Sequence, residues 1–172
     1  MKKIIALIVL ACTCNIANSA TYTFNINAGS NVGNGFLTTN STGLATSGSL
    51  VMTGGSIIGN YGLFSGGPSV TSSPSGAFIF DNMTYNSASL ALDWYGLLFV
   101  GNGLEVNIWG NVGQPYSLWS YNGSSYNLQS DTASFSLQVQ PVPVPAAVWL
   151  FGSALLSFLG MGKHKQGKVS AA

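Results

Sequence analysis

The strongest constraint on this chain is a hydropathy period of two. Residues 21–28 place Tyr22, Phe24, Ile26 and Ala28 on one face and Thr21, Thr23, Asn25 and Asn27 on the other. Residues 133–139 repeat the pattern, with Phe135, Leu137 and Val139 alternating against Ser134, Ser136 and Gln138. Leu104, Val106 and Ile108 alternate with Glu105, Asn107 and Trp109. Such segments are strands with one buried face. No stretch of period 3.6 precedes residue 146. Composition agrees, because 60 of the 120 residues 21–140 are Gly, Ser, Thr or Asn. These residues suit turns and strand faces and disfavour helix. The expected fold is all-β: an antiparallel β-sandwich or partly open barrel of about eight to ten strands. About 120 residues bury a single core without disulfides.

Asn-Gly pairs supply the turns. Residues 97–106, with Asn102-Gly103 between the strands, read as a hairpin. Residues 116–128, with Asn122-Gly123, read as a second. Both pairs suit type I′ turns, in which both central residues take positive φ. The first hairpin then sets Gly96 beside Trp109, and the second sets Trp119 across from Tyr126. Residues 29–75, punctuated by Gly54-Gly55-Ser56 and Gly66-Gly67-Pro68, predict short strands and long loops. A disordered low-complexity insert is the alternative there.

Charge excludes several functions. The five lysines all lie near the ends: Lys2, Lys3, Lys163, Lys165 and Lys168. Residues 21–140 carry Asp81, Asp93, Glu105 and Asp131 and no cation, a net charge of −4. A nucleic-acid groove needs several Lys or Arg, so no nucleic-acid partner is expected. The same region has no His or Cys. Triads built on imidazole or thiol, Cys/His zinc sites and disulfides within it are therefore excluded. No cofactor is expected.

Carboxylates are the remaining reactive groups. Asp93 and Glu105, with Trp94 adjacent, resemble a glycosidase pair in composition. Extending the first hairpin pairs Asp93 with Val112 and Glu105 with Val100, which puts the two acids on opposite faces. This argues against an enzyme. Asp81-Asn82 could supply oxygen ligands to calcium, although no Asp-x-Asp-x-Asp-Gly loop surrounds them. Trp94, Trp109, Trp119 and Tyr126 are candidate glycan contacts, with core and edge packing as their usual alternative fate. Asn40, Asn82 and Asn122 each open an Asn-x-Ser/Thr sequence, expected in exposed loops.

The two ends read as addresses. Residues 1–20 combine Lys2 and Lys3, an apolar run over residues 4–11, and small residues Ala17, Ser19 and Ala20. This is the pattern of a signal peptide cut by signal peptidase after Ala20 or after Ser19. A lipoprotein-type acylation of Cys12 is a weaker alternative. At the other end, residues 141–145 alternate proline and valine, a stiff extended spacer. Residues 146–162 carry no charge and as a helix would reach about 26 Å, the short end of a bilayer span. Lys163, His164 and Lys165 form a basic stop, and residues 163–172 a cytoplasmic tail. The lone His164 reads as part of that stop.

The run Val142-Pro143-Val144-Pro145-Ala146, followed by Trp149-Leu150-Phe151-Gly152-Ser153, an apolar stretch and a basic end, resembles the C-terminal sorting signal of PEP-CTERM proteins. It is closest to the Val-Pro-Leu-Pro-Ala subclass. Val144 stands where the name-giving motif has Glu, and Lys-His-Lys replaces the commoner Arg-rich cluster. The resemblance covers about 25 residues. It implies export, transient anchoring through residues 146–162, and cleavage near the proline motif by an exosortase, a membrane-embedded cysteine peptidase. It further implies a surface or extracellular-matrix protein of a Gram-negative, exopolysaccharide- and biofilm-forming bacterium. The catalytic residues of that processing belong to the exosortase.

Overall fold

The computed structural model describes residues 19–66, 69–85, 91–110 and 115–140, together with residue 152. The chain divides into two compact units, Met1–Gln140 and Pro141–Ala172. The expected signal peptide, proline spacer, membrane span and basic tail lie outside the described residues, apart from Ser19, Ala20 and Gly152. Among the described residues no helix is long and apolar enough to cross a membrane.

Among its described residues the first unit is all-β. These form ten strands in chain order: β1 (Ala20–Ala28), β2 (Asn31–Thr39), β3 (Ala45–Met52), β4 (Gly59–Leu63), β5 (Thr71–Ser72), β6 (Ile79–Phe80), β7 (Leu97–Gly101), β8 (Leu104–Trp109), β9 (Tyr116–Tyr121) and β10 (Tyr126–Val139). Eight of them close an antiparallel barrel in the order β1-β10-β9-β8-β7-β4-β3-β2. The sheet is therefore neither a sandwich nor partly open. Closure follows from the pairing of β1 with both β2 and β10, which leaves no free edge in the barrel. The path is a meander of hairpins, interrupted once between β4 and β7. There the chain inserts residues 64–96, which carry the small β5-β6 ladder.

An eight-stranded barrel is just wide enough for side chains to fill it. Phe24, Phe99 and Phe135 meet inside, with Phe24 ring centroids 5.7 Å from Phe99 and 5.4 Å from Phe135. Leu37, Leu50, Met52, Val106, Ile108 and Leu118 complete the packing. Room for these groups comes from inward-facing glycines. Gly35 lies in register with Phe24 on one side and Leu50 on the other, and a Cβ at Gly35 would strike the Phe24 ring. The described residues of 29–75 thus hold two long strands, β2 and β3, beside the expected short ones, β4 and β5.

The two Asn-Gly pairs behave differently. Asn102 (φ 51°) and Gly103 (φ 75°) form the expected tight turn, pairing Gly101 with Leu104 and Val100 with Glu105. The second hairpin pairs Tyr121 with Tyr126 and Trp119 with Leu128, so the expected Trp119–Tyr126 pairing is corrected by two residues. The cause is local. The Asn122 Oδ1 accepts the amides of Ser124 (3.1 Å) and Ser125 (2.9 Å), which widens the turn to four residues. A shift of two preserves the alternation of faces.

Both faces of β8 are buried, against the expectation of one. Glu105 and Asn107 point away from the barrel interior, yet both are buried, and Ser75 and Tyr95 of the insertion bond to them. The Glu105 carboxylate accepts the Ser75 amide (2.8 Å) and hydroxyl (2.7 Å). The Asn107 Nδ2 donates to the carbonyls of Tyr95 (3.2 Å) and Leu97 (3.3 Å).

Candidate functional site

The insertion is anchored by Asn82, which is fully buried and carries φ 54°. Its Nδ2 donates to the Phe64 carbonyl (2.7 Å), its Oδ1 accepts the Leu98 amide (3.0 Å), and its own amide donates to the Gly96 carbonyl (3.0 Å). Asn82 therefore opens no exposed glycosylation loop. Asn40 and Asn122 do sit in turns, where each caps amides two to four residues further on.

Residues 93–96 form a tight turn on the same scaffold. The Asp93 Oδ1 accepts the amides of Tyr95 (3.0 Å) and Gly96 (3.1 Å), while the Gly110 amide donates to the Asp93 carbonyl (2.8 Å). Asp93 is thus a turn residue, and the strand register that would have set it opposite Val112 stops at Leu97↔Ile108. Val112 itself lies outside the described residues. Gly96, at φ 63°, is where the chain leaves the ladder.

This turn presents Trp94. Its indole is 65% exposed and stacks on Trp109 of β8, with centroids 5.3 Å apart and planes inclined by 17°. The other aromatic candidates lie elsewhere. Tyr126 packs against Tyr121 at 5.0 Å and edge-on against Phe78 at 5.7 Å, and its hydroxyl donates to the Ala77 carbonyl (2.8 Å). Trp119 is half-buried on β9, in register with Asn107 and Leu128. The four candidate glycan contacts are therefore not one array; Trp94 and Trp109 are brought together, and Tyr126 belongs to a second group.

The carboxylates are also redistributed. Glu105 is held by Ser75, whereas Asp93 meets Asp81, a pairing that sequence spacing did not reveal. Asp81 is 6% exposed and its Oδ1 accepts the Met83 amide (2.9 Å). The Tyr85 hydroxyl donates to the Asp93 Oδ2 (3.1 Å). Burial pushes the Asp81 carboxyl above the usual carboxylate range; the Met83 amide opposes this, and the neighbouring Asp93 carboxylate adds to it. Burial, followed by the contact with Asp93, likewise raises the Tyr85 phenol. Among the described residues no three His, Cys, Asp or Glu side chains converge as a metal cluster would require. Asp81 Oδ1 and the two Asp93 oxygens accept amides and a phenol.

A pH dependence follows from the Asp81 shift. Its folded-state pKa is raised, so the folded protein binds the proton more tightly than the unfolded chain does. The associated stability is fully present below the ordinary carboxylate pKa of about 3.9 and is lost as pH rises through the raised folded value. Asp81→Asn keeps an acceptor for the Met83 amide and removes the charge facing Asp93. The variant is expected to be more stable than the parent at neutral pH by about 0.5–2 kcal/mol, with the gap narrowing toward acid. Thermal unfolding across pH checks this; a variant less stable at neutral pH would contradict it.

The sorting-motif residues Val142, Pro143, Val144, Pro145, Ala146 and Trp149, and the basic residues Lys163, His164 and Lys165, lie outside the described residues. No family model, no curated protein and no solved structure matches the chain.

Proposed function

We propose that this chain is an exported surface or extracellular-matrix protein, made with an N-terminal signal peptide and a single C-terminal membrane helix over residues 146–162. Signal peptidase removes the leader, and an exosortase cleaves near residues 142–145. The product is a nearly uncharged β-barrel released to the cell surface or the exopolysaccharide layer. This reading assigns no catalytic residue within the chain.

One observation supports it above the others: the barrel is complete between the two proposed processing points. Tyr22 pairs with Val139, the Gln140 amide donates to the Thr21 carbonyl (2.8 Å), and the Gln140 Nε2 donates to the Thr23 hydroxyl (2.9 Å). Neither cut would sever the ladder between the first and last strands. A cut after Ser19 keeps the Ala20↔Thr39 pair, and a cut after Ala20 removes only that pair. The exterior of β1 and β10 also suits a hydrated polymer layer, since Thr, Asn, Ser and Gln dominate it and Asp131 is the one charged residue of these two strands.

The test is fractionation of full-length tagged protein in a host with and without its exosortase. The expected result is a shorter, surface or released form with the enzyme and a longer, inner-membrane form without it. Identical size and location in both hosts would refute the proposal.

A further inference from the structure

We infer that the open face of Trp94, backed by Trp109, is a binding platform for a neutral polysaccharide. The inference rests on the export reading only for where the polymer is met, since binding itself is a property of the barrel.

Three observations carry it. The first is exposure combined with rigidity. Trp94 leaves 65% of its surface in solvent, although indole is among the most profitable side chains to bury. One ring face is spent on Trp109 at 5.3 Å and 17°. The turn beneath is fixed by two amides on the Asp93 carboxylate and by the Gly110 amide on the Asp93 carbonyl. An aromatic ring held this way gives up little conformational freedom on binding.

The second is the surroundings. Tyr95 and Tyr85 are exposed beside the same turn, at 40% and 36%. Flat rings flanked by hydroxyl groups match a sugar, which offers an apolar C–H face and a polar rim. The third is charge. Asp93 adjoins Trp94 in the chain and neighbours Asp81, and residues 21–140 contain no cation. A polyanion would meet only repulsion here, so nucleic acid and uronate polymers are the wrong class, and an uncharged glycan is the right one.

The experiment uses the full chain in a sugar-free polyoxyethylene detergent. Binding is measured by calorimetry against soluble β-1,4-glucan, mannan and xylan as neutral probes and alginate as an anionic one. We expect saturable binding to at least one neutral probe and none to alginate. Trp94→Ala should weaken it by about tenfold or more, a loss typical of removing one stacking aromatic. Trp94→Phe, which keeps a ring on Trp109, should fall between the parent and the alanine variant. Phe36→Ser, on the outer face of β2, should bind like the parent and controls for unspecific loss of apolar surface. Absence of binding to every neutral probe, tighter binding to alginate, or unchanged affinity in Trp94→Ala would each overturn the inference. Lost binding with intact exosortase processing would remove this inference and leave the export proposal standing.

Discussion

Phe24→Ala is expected to destabilise the barrel by about 3–5 kcal/mol, the cost of emptying a large aromatic position in a packed core. Phe24 is 1% exposed and touches the rings of both Phe99 and Phe135. A closed barrel has little freedom to collapse onto the vacancy, because every strand is paired on both sides. For a domain of this size the melting temperature should fall by about 10 °C or more. The glycine beneath supplies an internal control. Gly35→Val forces a side chain into space held by the Phe24 ring and the Ser49 carbonyl, and should cost about 1–3 kcal/mol alone. Combined with Phe24→Ala, its penalty should shrink, because the ring that opposed it is gone. The rescue is partial, since the Ser49 carbonyl remains. Strict additivity of the two losses in thermal or denaturant unfolding would show that the two sites do not share a cavity.

That glycine also explains why half of the barrel was hard to read in the sequence. In β1 and β10 the alternation is plain, because Phe24, Ile26 and Phe135 face polar neighbours across the pleat. In β2 and β3 the inward positions include Gly33, Gly35 and Gly48, which carry no hydropathy signal. Their smallness is matched to Met52, Phe24 and Leu37 on the strands they approach. Long-range complementarity of this kind has no local period, so residues 29–75 read as short strands and long loops. Closure was illegible for a similar reason. It depends on β1 accepting partners on both edges, and nothing in a strand's own sequence distinguishes an edge strand from a shared one.

The site was legible as parts and not as an arrangement. Trp94, Trp109, Asp81 and Asp93 were all identifiable as unusual residues in a charge-poor chain. Their grouping was not, because the alternation of residues runs on past Gly96 although the ladder ends at Leu97↔Ile108. A single residue with positive φ ended the ladder and turned Asp93 back toward Asp81. Asn122 shows the same principle on a smaller scale: its side chain captured two amides, and Trp119 moved from Tyr126 to Leu128.

Gly96→Ala is the second large effect expected, at about 2–4 kcal/mol. One part is the left-handed backbone, worth about 1–2 kcal/mol for a residue with a Cβ. The rest is contact, since a Cβ at this position would strike the Ile108 carbonyl and come within 2.7 Å of the Trp109 Cα. Gly103 separates the two contributions. It has φ 75° and nothing within 4 Å of a built Cβ, so Gly103→Ala should show the backbone cost alone. The difference between the two variants in chemical unfolding measures the collision. Equal losses would mean that the strand end gives way freely and that Gly96 is needed only for its dihedral angle. A second readout follows from what Gly96 holds. Its amide binds the Asp93 carboxylate (3.1 Å) and its carbonyl accepts the Asn82 amide (3.0 Å), so displacing it loosens the turn under Trp94. The near-parallel Trp94–Trp109 pair should give a coupled signal in near- and far-ultraviolet circular dichroism. That signal should weaken in Gly96→Ala under fully folded conditions and persist in Gly103→Ala. An unchanged spectrum in Gly96→Ala would separate the indole stack from the turn and locate its rigidity in Trp109 instead.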